Sequence, residues 1–172
     1  MSSVKPSQRI LGIDPGFGRV GFGVIEGSGH AWKSIDYGCI ETQPSSDFLS
    51  RLETIHKEIT KILGRHHPTH AAVEQLFFAK NAKTAIQVGE ARGTILLTLQ
   101  QAGLPIFEYT PLQVKQAVTG YGKADKKQIQ DMVRLTLHLP KMPLQDDAAD
   151  ALAVALTCGV SLTFFEKTNK SS

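Results

Sequence analysis

Three strand-like runs open the chain, "RILGID", "RVGFGVIEG" and "HAWKSIDYGCI", with glycines at or near the joints. Joints that short leave room only for hairpins, so the first forty or so residues are committed to an antiparallel meander. The first run ends in an unusual way. Ile10, Leu11 and Ile13 make an apolar strand that closes on a bare carboxylate, Asp14, followed by Pro15 and Gly16. A charge taken out of water is costly unless something compensates it. The compensating partner is the thing to look for.

Beyond the meander the pattern alternates. Pro44, Ser45 and Ser46 end the strand region, and from Asp47 to Arg65 the apolar residues Phe48, Leu49, Leu52, Ile55, Ile59, Ile62 and Leu63 recur at helical spacing. "HAAVEQLFF" reads as a buried strand, "NAKTAIQVGEARGTILLTLQQAG" as a long helix and "LPIFEYT" as a fifth strand. "TPLQVKQAVTG", "DKKQIQDMVRLTLHL" and "DDAADALAVALTCGVSLTFF" supply three more helices. A meander followed by helix, strand, helix, strand and helices predicts an α/β domain around a mixed five-stranded sheet.

The chain has 172 residues, enough for one well-buried domain, expected over residues 9–165 with loose polar tails at 1–8 and 166–172. With 41% apolar and 20% charged residues and no apolar run approaching a bilayer's width, no membrane span is expected. "MSSVKPSQ" lacks the apolar core of a signal peptide, and Cys39 and Cys158 are isolated, which points to a reducing, cytoplasmic setting. A net charge of +3 permits nucleic-acid binding without requiring it.

Other acids repeat the oddity of Asp14. Glu74 closes the apolar run of Ala71, Ala72 and Val73, and Asp147 and Asp150 sit one turn apart at the start of the last helix. Taken singly, each has an ordinary reading: Asp14 as a turn carboxylate held by backbone N–H groups, Glu74 as a strand end in water, Asp146 or Asp147 as a helix cap. Spacing leaves open which of Asp146 and Asp147 pairs with Asp150. Taken together they point to a metal site. Clustered carboxylates raise one another's pKa unless a cation lies between them, and all-oxygen ligands suit Mg²⁺. Two such ions about 3.5–4 Å apart can activate a water and stabilise the leaving oxygen in phosphodiester hydrolysis.

The segments "LGIDPG", "VEQLFFAKNAKTAIQVGEARG", "FEYTPLQVKQAVTGYGKADKKQIQDMV" and "DDAADALAVAL" resemble, in order and spacing, the RuvC family of bacterial Holliday-junction resolvases, which have a ribonuclease-H-like fold. The likeness covers roughly residues 9–158. It implies a homodimeric endonuclease that makes paired symmetric nicks in strands of like polarity in four-way junction DNA during recombination and repair. The cofactor it implies is Mg²⁺, with Mn²⁺ as a substitute and two ions per site, and no nucleotide. The family's acidic tetrad falls on Asp14, Glu74, Asp147 and Asp150, which leaves Asp146 as the cap. Some family members carry histidine where Asp147 stands; this chain has the all-carboxylate form. A branch-migration helicase complex of RuvA and RuvB is the further partner the family implies.

Around this site, Phe77 and Phe78 follow Glu74, and strand parity would turn one to the core and free the other for stacking on a base. The resemblance favours Phe77 for stacking, with Lys80 close by. Lys115, Lys123, Lys126 and Lys127 form a basic run, of which Lys115 and Lys126 match basic positions near the scissile phosphate in the family. Ala85, Gly89 and Gly93 put small residues on one side of the long helix, facing either the domain's own sheet or, as in the family, a second copy. Arg51, Lys57, Lys61 and Arg65 read as ordinary surface. His56, His66, His67 and His70 lack metal-ligand spacing.

Three other functions are open on sequence grounds. An actin-like or sugar-kinase-like phosphotransferase also places an aspartate beside a glycine turn, but needs a second domain. A junction-binding module without catalysis would share the basic and aromatic residues. A ribonuclease-H-like nuclease acting on another nucleic acid would share the acids.

Overall fold

In the computed structural model, which describes residues 7–76, 82–143 and 145–168, a five-stranded mixed sheet separates two layers of helices. Strands β1 (Gln8–Asp14), β2 (Arg19–Ser28) and β3 (Ala31–Glu41) form the expected meander, and β4 (His70–Glu74) and β5 (Ile106–Tyr109) extend it in parallel. The order across the sheet is β3-β2-β1-β4-β5. Regular structure reaches into both expected tails: β1 begins at Gln8, and the last helix runs to Thr168.

Helices α1 (Phe48–His66) and α2 (Ala82–Gln101) cover one face. Ile55, Ile59, Ile62, Ala91, Ile95 and Leu99 pack there against Leu11, Ile13, Val20, Val24, Ala71 and Val73. Helices α3 (Pro111–Thr119), α4 (Lys126–Thr136) and α5 (Asp146–Thr168) cover the other face. Asp47, Thr110 and Asp125 cap α1, α3 and α4 by accepting from backbone N–H groups, and the last two complete capping boxes with Gln113 and Gln128.

Helix α5 corrects the expectation that no segment could span a bilayer. Its Asp146–Phe164 stretch is long and apolar enough by composition, yet 67% of it is buried inside the protein, as befits a central core helix. It lies close because β1 and β2 offer glycines beneath it. A Cβ at Gly12 would lie 2.2 Å from the Ala151 carbonyl oxygen, one at Gly21 only 1.9 Å from that of Asp147, and one at Gly23 would meet Leu152. The glycines of "LGIDPGFGRVGFGV" are thus a seat for a helix backbone.

Candidate active site

Alternation along the strands decides where the acids point. In β1, Ile10 packs on the α5 side and Leu11 and Ile13 on the α1 side. Asp14 shares the parity of Ile10 and Gly12, and so belongs to the α5 side. In β4, Ala72 faces α5 while Ala71 and Val73 face away, which gives Glu74 the same side as Asp14. The two strands are parallel with Ile13 beside Val73, so the carboxylates that follow are neighbours at one end of the sheet. Helix α5 starts above that end, because Gly21 admits the backbone of Asp147.

The electrostatics follow from this convergence. Burial, and then the charges of Glu74, Asp150 and Asp147, push Asp14 up to about 8. Burial and Asp150 likewise raise Glu74, and burial raises Asp150. Asp14 and Glu74 lie close enough for each to perturb the other, with Glu74 raising Asp14. Asp14 therefore lies within the field of the other three members of the expected tetrad. Asp146 is not the expected cap: it lies in the first turn of α5 and accepts from Lys126 at 3.0 Å and from Gln130 at 3.2 Å.

Cations brace the cluster on two sides. Lys126 Nζ lies 3.6 Å from Asp150, and Arg19 Nε lies 3.3 Å from Asp147. Although partial burial works the other way, Asp146 and Asp150 hold Lys126 above the ordinary lysine value. Lys115 and Lys126 line, with Glu74, Asp150, Val114 and Ile129, an open cleft of about 200 Å³ beside the acids. The sequence reading had brought out both lysines and missed Arg19, whose only signal was its place at the start of the second strand, next to the turn after Asp14.

That turn is clamped. Gly16 has no room for a Cβ, which would fall 2.0 Å from the Arg19 carbonyl oxygen. Thr42 donates from its hydroxyl to the Phe17 carbonyl at 2.7 Å and from its backbone N–H to that of Gly18 at 3.0 Å. Arg51 donates to the Thr42 hydroxyl and lies 3.7 Å over the Phe17 ring. Arg51 is thus a buttress of the Asp14 turn rather than the plain surface residue the sequence suggested. Lys57 and Lys61, by contrast, make only surface ion pairs with Glu53 and Glu58.

The donor set fits a hard divalent ion: four carboxylates, buried enough that three have raised proton affinity. As the side chains lie, no three of the described His, Cys, Asp and Glu residues are gathered to ligate one ion. The ion pairs to Arg19 and Lys126 account for this, since each holds an acid that a metal would have to win. The histidines are engaged elsewhere, His66 with Asp36 at 2.8 Å and His56 with Thr98 at 2.9 Å.

Phe77, Phe78 and Lys80 lie outside the described residues. On α2, a Cβ at Gly89 or Gly93 would meet nothing within 4 Å. These glycines do not pack on their own sheet. With the exposed Ile86 and Leu97 they form an open stripe along the helix, and Ala85 beside them is half-buried.

The chain matches known proteins over most of its length. Residues 10–158 match the family model described as crossover junction endodeoxyribonuclease RuvC. The crossover junction endodeoxyribonuclease RuvC of Roseiflexus sp. is 52% identical over 148 residues, 86% of this chain and 88% of that protein. The one from Petrotoga mobilis is 53% identical over 150 residues, 87% and 92% of the two chains. Among solved structures, T. thermophilus RuvC in complex with a Holliday junction substrate superposes with a TM-score of 0.88 at 35% identity, covering 92% of this chain and 96% of that one. Agreement of sequence and fold over nearly the full length leaves one conclusion, that the chain belongs to the RuvC family of crossover junction endodeoxyribonucleases.

Proposed function

We infer that this chain resolves Holliday junctions, as a metal-dependent endonuclease that cuts two strands of like polarity at symmetric positions. The observation that carries this is the convergence of Asp14, Glu74, Asp147 and Asp150 at one sheet end, where burial and the neighbouring carboxylates push Asp14 up to about 8. Those four residues would hold Mg²⁺, or Mn²⁺ in its place, as a pair of ions. When bound, the ions supply activation of the attacking water and neutralisation of charge on the leaving oxygen.

The protein's own groups do the rest. Asp14 would serve as a ligand in its deprotonated form. Arg19 and Lys126, which pair with Asp147 and Asp150, stand beside the site, Lys126 also on Asp146, and a phosphodiester is a natural acceptor for both cations. Lys115 flanks the same cleft. Phe77 would stack on an unpaired base near the crossover, with Lys80 on a neighbouring phosphate. The open Ala85, Gly89 and Gly93 side of α2 would pack against a second copy, giving a two-fold dimer that suits a two-fold junction. RuvA and RuvB are the expected helicase partners, in the cytoplasm.

The deciding experiment is cleavage of an end-labelled four-way junction with a mobile core, in Mg²⁺ and in EDTA, beside linear duplex and an RNA–DNA hybrid. Paired metal-dependent nicks confined to the junction are expected. Preferential cutting of the hybrid would replace the junction with another nucleic acid as substrate, and tight binding without cutting in any divalent ion would leave a binding module.

A further inference from the structure

The connection between α3 and α4 holds an exposed aromatic ring where no packing requires one. Tyr121 is 57% exposed, and Leu112 beside this connection is 55% exposed. The loop itself is fixed. Gly120 adopts a left-handed φ of 72°, Thr119 donates to the Lys115 carbonyl at 2.7 Å, and the Tyr121 N–H donates to the Thr119 hydroxyl at 3.1 Å. Ala124, buried, donates its N–H to the Tyr121 carbonyl at 3.1 Å. Gly122 lies against the side chains of Leu112 and Gln116, 2.9 and 3.3 Å from where a Cβ would sit. An aromatic ring more exposed than buried, held on a braced loop, keeps much of its face open to a ligand. It is arranged for something that arrives.

The charge around it says what arrives. From Pro111 to Ala124 there is no acidic residue, while Lys115 and Lys123 flank the tyrosine in sequence. Lys115 and Lys126, at either side of this connection, line the cleft that contains Glu74 and Asp150. A flat ring in a basic, acid-free segment continuous with a nuclease cleft fits a nucleic acid, whose backbone meets the lysines and whose bases or sugars meet the ring.

We propose that Tyr121 is a DNA-stacking residue which, with Lys123 on the adjacent phosphate, holds a junction arm beside the cleft. The proposal rests on the junction-resolving reading above. It gives the enzyme an aromatic contact on the α3–α4 side, separate from the segment after β4.

Binding of a fluorescent four-way junction and of linear duplex is measured in EDTA, over a series of salt concentrations, for the wild-type protein, Tyr121→Ala, Tyr121→Phe and Lys123→Ala. Loss of one stacking contact is expected to weaken Tyr121→Ala about 5- to 20-fold at every salt concentration, without change in the slope of log affinity against log salt. Tyr121→Phe should stay within about twofold of wild type, and Lys123→Ala should lower the salt slope by about one. Wild-type affinity in Tyr121→Ala would overturn the proposal, and so would an equal loss in Tyr121→Phe, which would assign the effect to the hydroxyl. Thermal melting of each variant checks that the fold is kept. If the wild-type protein bound junction no better than duplex, the junction reading would fall by itself, while the Ala and Phe comparison would still decide whether Tyr121 stacks on DNA.

Discussion

Asp14 is where the chemistry and the stability of this protein meet. Its folded-state pKa of about 8 lies far above the 3.8 of a free aspartate, so between those values the folded protein binds a proton that the unfolded chain does not. Stability therefore falls as pH rises through that window, and the full penalty, on the order of 6 kcal/mol, is reached above pH 8. Glu74 and Asp150, also raised by burial, act in the same direction. Metal-free protein should melt at a progressively lower temperature from pH 5 to pH 8, and excess Mg²⁺ should flatten the profile by replacing the proton. Asp14→Asn should flatten it without metal and lose cleavage by at least ~100-fold, while still binding the junction. Calorimetry across pH with and without Mg²⁺ checks the first pair of outcomes, and a single-turnover assay the second. Arg19 predicts an effect of opposite kinds. Its ion pair with Asp147 competes with the metal. Arg19→Gln should therefore tighten Mg²⁺ binding while lowering the salt slope of DNA binding by about one, which isothermal titration and a salt series would separate.

At the scale of the elements, α5 and its glycine seat form one unit. A methyl group at Gly21 would lie 1.9 Å from the Asp147 carbonyl oxygen, with backbone on both sides and nothing flexible to yield. Gly21→Ala should cost about 3 kcal/mol or more, of the order seen for overpacked cores, and should lift the start of α5 off the sheet. Urea unfolding gives the cost. Residual cleavage at low temperature shows whether the acids still converge. This seat also marks what could be read from the sequence. Strand and helix order, the meander and the four acids were all legible, because apolar periodicity and carboxylates at strand ends are local signals. The tight approach of α5 was not, since nothing in "VGFGV" says which element its glycines face. Arg19 and the Asp146–Lys126 pair were missed because an ion pair between sequence-distant elements exists only once the packing of β2, α4 and α5 is known, and Arg51 because its contacts with Thr42 and Phe17 depend on how α1 meets the Asp14 turn. Phe77 lies outside the described residues.

At the scale of the whole molecule, one chain carries one acidic cluster, whereas resolving a four-way junction takes two cuts. A second copy would supply the second cluster, and α2 would be the surface that holds it. Ile86 and Leu97 are 64% and 58% exposed on a helix whose glycines touch nothing. An exposed helical glycine replaced by alanine ordinarily stabilises a helix by roughly 0.5–1 kcal/mol. If that face packs on its counterpart, Gly89→Ala and Gly93→Ala should instead weaken association, so the sign separates a free helix from an interface. Sedimentation equilibrium beside thermal melting would read both. A dimer also fixes how the two cuts are coupled. In a mixed dimer of one wild-type and one Asp14→Asn subunit, a single functional cluster remains, so a plasmid bearing an extruded cruciform should be nicked once and stay circular. Wild-type dimers should cut both strands and yield linear product. Linear product from purified mixed dimers would mean that one cluster reaches both strands, and the two-fold match between protein and junction would then have no part in the chemistry.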